Sequence, residues 1–123
     1  MLIAILTFLF LGGGATSAML DYVDEARGNA RAVIGHDDRR KSALDTLKAV
    51  EKLTKGLAKE QKKSAKALVR AWKEHDGDYD TVEALWQAHY DALDVYFGEL
   101  LDRREELKNS VTREEWSEIF PAP

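Results

Sequence analysis

Apolar positions in this chain mostly recur every three or four residues, and short polar clusters interrupt them. That spacing predicts helices throughout. The first stretch differs, because Leu2 to Leu11 is almost continuously apolar and no charged residue precedes Asp21. Beyond it, Leu20, Val23, Ala30 and Ile34 return at helical spacing, which predicts a short amphipathic helix stopping at Gly35. Asp37 or Asp38 then supplies an N-cap. A long helix follows from about Asp38 to His75, with Leu44, Leu47, Val50, Leu53, Leu57, Leu68 and Trp72 on its apolar side. Ala58, Ala65 and Ala67 leave room there for a neighbouring helix to approach closely.

The cluster HDGDYD marks a hairpin turn, and a second long helix runs from about Tyr79 to Lys108. Its broad apolar arc holds Val82, Leu85, Trp86, His89, Leu93, Tyr96, Phe97, Leu100 and Leu107. About 35 residues make roughly 50 Å of helix. Two such helices joined by a short turn must lie antiparallel. Thr112 and Glu115 have the spacing of a capping box, with Val111 and Trp116 at the positions of a hydrophobic staple. They announce a last helix whose apolar face is Trp116, Ile119 and Phe120, ended by Pro121 and folded on the hairpin as a lid. The expected fold is all-α: a long antiparallel helical hairpin with a short N-terminal helix and a short C-terminal capping helix, after an N-terminal hydrophobic segment.

With 123 residues there is room for one domain, assigned to 19–123. The absence of cysteine excludes disulfides, thiolate metal sites and lipid attachment at a Cys. Residues 1–18 fit a secretory signal peptide, with Thr16-Ser17-Ala18 as the cleavage site, and equally a short retained membrane anchor. A plain cytosolic helix is the third possibility. No Lys or Arg precedes Leu2, so charge does not set the topology. Both leading choices place the chain in the periplasm or another extracytoplasmic position.

The formal net charge of −4 conceals a strong polarisation. Arg39 to Lys73 contains twelve basic residues and three acidic ones, a net of +9. Lys48, Lys52, Lys55, Lys59, Lys62, Lys66, Arg70 and Lys73 fall within about 80° of one another on the first long helix, away from its apolar side. Asp80 to Lys108 carries eight acidic residues against three basic ones, a net of −5. The basic stripe is a solvated face in its plainest reading. It also suits an anionic membrane surface, a polyanionic glycan or the acidic face of another copy. It lacks interleaved aromatics, so nucleic acid is not the expected partner.

Three further features touch on chemistry. Asp76, Asp78 and Asp80 alternate as in the first half of a calcium loop, but Thr81 and Gln87 stand where that loop needs Gly and Glu. They read as an acidic turn capping the second helix, with a weak metal contact through His75 as the lesser reading. His89 reads as a core histidine, since Trp86 occupies the place of the Glu in a Glu-x-x-His metal pair. Tyr79, Trp86, Tyr90 and Phe97 form an aromatic line, taken as core or else as an apolar groove. No catalytic triad, phosphate loop or carboxylate pair is present, so neither an enzyme nor a cofactor is expected.

The segment VTREEW at Val111 to Trp116 resembles the LTxxQ motif of small periplasmic helical proteins of the Spy, CpxP and heavy-metal-resistance type, with Val for Leu and Glu115 for Gln. That resemblance implies a stress-related chaperone or metal-sensing partner in the periplasm. The expected function is therefore a non-enzymatic, exported or membrane-anchored helical interaction module that binds a protein partner or itself. The alternatives are a metal- or ligand-sensing module and a structural subunit of a membrane complex.

Overall fold

A computed structural model of the chain describes residues 2–74 and 77–122, with side chains from Thr16 onward. It contains four helices, α1 (Leu2–Val33), α2 (Asp38–Lys73), α3 (Tyr79–Ser110) and α4 (Arg113–Ile119), and no strand among the described residues. The fold is all-α. Signal-peptide and anchor assignments fall mostly on residues whose side chains lie outside the described ones. Among the described residues no helix is long and apolar enough to cross a membrane.

The helix starts are set by local chemistry. Asp37 caps α2 by accepting from the N–H groups of Arg39 (3.0 Å) and Arg40 (3.2 Å). Partial desolvation pushes the Asp37 carboxyl up, but the Arg40 N–H and the Arg39 charge outweigh it and hold it below the ordinary carboxylate range. Asp78 caps α3 through the Thr81 N–H at 2.8 Å, and hydrogen bonds from Thr81 keep its carboxyl low as well. Of the turn, His75 and Asp76 lie outside the described residues. Gly77 is needed there for space, since a Cβ would collide with the Ala71 carbonyl oxygen.

Burial along α2 follows a 3.5-residue period through Ala43, Leu47, Val50, Thr54 and Leu57, resuming at Leu68. That spacing keeps one seam facing a neighbour over the whole length. Three pairings fix α3 antiparallel to α2: Ser42 with Ser110 (Oγ–Oγ 3.1 Å), Thr54 with Tyr96, and Leu68 with Val82 in one cluster. Thr54 is fully buried; its hydroxyl donates to the Val50 carbonyl at 2.8 Å and lies 2.9 Å from the Tyr96 hydroxyl. A buried polar pair satisfied in this way holds register without an orphaned group.

The main core joins all four helices. Val23, Ala26 and Ala30 of α1, with Ile34 just after it, pack with Ala43, Leu47 and Val50 of α2, Leu107 of α3 and Ile119 of α4. Ala26, Ala30 and Ala43 are at most 1% exposed, the close approach that small side chains permit. Arg27 of α1 pairs with Glu51 of α2, which Lys55 also contacts at 2.7 Å. The hydrogen bond from Lys55 is the chief reason the Glu51 carboxyl sits below its usual range. The second cluster, Ala65, Leu68, Ala71 and Val82 with Leu85 and Trp86 beside it, is built from α2 and α3 alone among the described residues.

The capping box of α4 forms as expected, with the Thr112 N–H donating to Glu115 at 2.8 Å and the Glu115 N–H to the Thr112 hydroxyl at 3.1 Å. The lid, however, rests on α1 more than on the hairpin. Asn29 donates to the Ile119 carbonyl at 3.0 Å, and Tyr22 stacks on Phe120 with centroids 5.7 Å apart. Arg39 reaches Glu115 at 2.7 Å and ties the lid to the start of α2. The Thr112 N–H and the Arg39 guanidinium hold the Glu115 carboxyl low.

Candidate functional site

At 100° per residue, Val82, His89, Tyr96 and Leu107 make the buried stripe of α3. Tyr79, Trp86, Tyr90, Phe97 and Leu101 lie about 90° around the same helix. This second stripe is the aromatic line, and it is largely not core. Tyr79, Tyr90, Phe97 and Leu101 are between 53% and 69% exposed, while Trp86 is half-buried beside Leu85. Trp72, expected on the apolar side of α2, is also exposed. The reason is geometric. A helix that packs on one neighbour buries one narrow stripe, and these two helices carry apolar arcs wider than one stripe.

The exposed aromatics are organised along the helix. Trp86 stacks on Tyr90 with centroids 5.7 Å apart, and Phe97 meets the edge of Tyr96 at 5.5 Å. Asp80, Glu83, Asp91, Asp94, Asp102 and Glu105, all exposed, border the line on its outer side. Aromatic side chains facing water at helical spacing, rimmed by charge, have the composition of a protein-binding patch.

The basic stripe stands on α2. Lys48, Lys52, Lys55, Lys59, Lys62, Lys66, Arg70 and Lys73 are all exposed, and among the described residues only Lys55 of these eight forms an ion pair. Seven cations facing water along one helix give α2 a positive side, while α3 presents acid. The two charged surfaces and the aromatic line thus share one hairpin.

The acidic turn is split by its capping role. Asp78 is committed to capping α3, and Asp80 is exposed in the helix's first turn. Among the described residues no three His, Asp or Glu side chains gather in a metal-holding group. His89 faces α2 and is 8% exposed, next to Trp86 at 5.9 Å and Tyr90 at 5.8 Å between ring centroids. Burial lowers its pKa, because desolvation penalises the charged imidazolium. The unfolded chain therefore protonates this histidine first as pH falls below about 6.5. Stability carried by neutral His89 is complete above that value and is lost as pH drops toward the lowered native pKa. Urea midpoints at pH 7.5 and pH 5.0 measure this loss. The drop is expected to shrink in His89→Gln; equal drops in the two proteins count against it.

No known protein family, curated protein or solved structure matches the chain.

Proposed function

We propose that this chain is a non-enzymatic helical interaction module, exported or anchored by its apolar N-terminus, that holds an apolar segment of a protein partner in a chaperone-like manner. The observation that carries the proposal is the exposed line Tyr79, Tyr90, Phe97 and Leu101 on α3 with its acidic border. Large aromatic groups left in water gain more by being covered than the ordering of their two χ angles costs, which is why such patches mark contact sites. The acidic border selects partners with Lys or Arg beside their apolar residues. The cationic side of α2 suits the anionic leaflet beside which an N-terminal anchor would hold the molecule. The export reading rests on the run Leu2 to Leu11 and the small residues after it. The chaperone-like reading draws further support from the LTxxQ-like segment at the start of α4.

The test combines light scattering with site-specific capture. The purified chain is expected to suppress aggregation of a thermally unfolding reporter protein at near-equimolar ratio. A photo-crosslinking residue at position 90 should capture the reporter, and one at position 91, on the acidic side, should capture much less. Unchanged scattering, or equal capture at the two positions, rejects the proposal.

A further inference from the structure

The four-helix end of the molecule contains a second feature, separate from the α3 face. Between α1 and the lid lies a cavity of about 290 Å³. Among the described residues its walls include Val23, Leu47, Val50 and Leu107, with Trp116 of α4 and Phe120 just after it on one side. The cavity opens to solvent past Tyr22 and Arg104, so it is an apolar cleft with a polar mouth. Its volume is just under the usual range of small-molecule sites of ~300–1,000 Å³, and its mainly apolar walls suit an apolar ligand.

The edge of the cavity supplies the polar half of an answer. Arg103 and Arg104 both reach its lining. Arg103 is held by both carboxylate oxygens of Glu106, at 2.7 and 2.9 Å. Among the described residues Arg104 has only a long contact to Glu105, at 3.5 Å, and its guanidinium lies 5.4 Å from the centre of the Trp116 ring. The Trp116 ring holds the guanidinium near the mouth and leaves N–H groups able to donate. A carboxylate accepts from such groups through both oxygens. At ~30 Å³ for each group the size of a water or a methylene, the cavity takes about ten carbons. It is too small for a two-chain lipid.

We propose that this cavity binds a single-chain carboxylate of medium length, with its alkyl chain between α1 and α4 and its head on Arg104. The site is independent of the α3 face and of whatever that face holds. Occupation joins α4 to α1 and α2 through apolar contacts, so it raises the stability of the native chain with the logarithm of ligand concentration above Kd.

Calorimetric titration of the full chain with decanoate, decanol and decyltrimethylammonium, each below its micelle concentration, tests the assignment. Decanoate is expected to bind at one per chain, raise Tm and bind tighter than decanol, with the ammonium compound weakest. Arg104→Gln is an exposed substitution and should leave the fold intact. It should bring decanoate down roughly tenfold, to the affinity of decanol, whose own binding stays unchanged. Leu100→Trp, at a partly buried wall position, narrows the cavity from α3 and should weaken binding of all three, with the parent's helix content retained. Absence of decanoate binding overturns the proposal. So does Arg104→Gln weakening decanoate no more than decanol, or uptake of several molecules per chain that survives both substitutions. A variant with Tyr90, Phe97 and Leu101 changed to Ser should bind decanoate as the parent does, which separates failure here from failure of the α3 surface.

Discussion

Leu68→Ala lowers the unfolding free energy by about 2–5 kcal/mol, the cost of emptying a large buried aliphatic site. Leu68 is among the largest fully buried side chains of the molecule. Its buried neighbours in the outer cluster are Ala65, Ala71 and Val82, too small to collapse into the space it leaves. Against a total of about 5–15 kcal/mol for a domain of this kind, that loss is large. It is also local, because this cluster joins only α2 and α3 among the described residues, while the main core joins four helices. Hydrogen exchange should therefore accelerate first over 65–73 and 79–89, with Val23 to Ala30 and Ala43 to Val50 still protected. Leu101→Ala is the control, since Leu101 is 62% exposed and its truncation should move the urea midpoint by less than ~0.5 kcal/mol equivalent. Matching effects of Leu68→Ala and Leu101→Ala would contradict this account of the outer cluster.

Helix ends were the most legible part of the sequence because each is decided within four residues. Asp37, Asp78 and the Thr112–Glu115 box act on the nearest backbone N–H groups, so spacing located each start to within a residue, leaving Asp37 or Asp38 for α2. The antiparallel hairpin was legible for a related reason, a short turn between two long periodic runs. Which apolar residues are buried was less so. Periodicity gives the centre of the arc, and Leu47, Val50, Leu68, Val82 and Leu107 lie there. Its flanks depend on how many helices gather round, so Trp72 and Phe97 fit the period and still face water. Thr54 was missed in the opposite sense. A threonine reads as polar until the Val50 carbonyl and the Tyr96 hydroxyl are seen beside it. The cavity under α4 has no sequence signal at all, because Val23, Leu47, Leu107 and Trp116 meet only in three dimensions.

Replacing Tyr90, Phe97 and Leu101 together by Ser should lower affinity for an apolar protein client by about a hundredfold. The estimate follows from anchor residues that each contribute ~1–2 kcal/mol at a contact and combine less than additively. The same three side chains are more than half exposed, so thermal stability should hardly change, and lost binding cannot be put down to lost folding. The competing explanation is that charge alone draws partners to this dipolar hairpin. Changing Lys55, Lys59, Lys62 and Lys66 to Gln separates the two, since solvated charges act mainly on encounter rates and their salt dependence. With the α3 surface as the contact, the lysine variant binds somewhat more slowly at low salt and equally well at high salt, while the serine variant is weak at both. The reverse pattern, binding kept by the serine variant and lost by the lysine variant, would move the functional surface from α3 to α2.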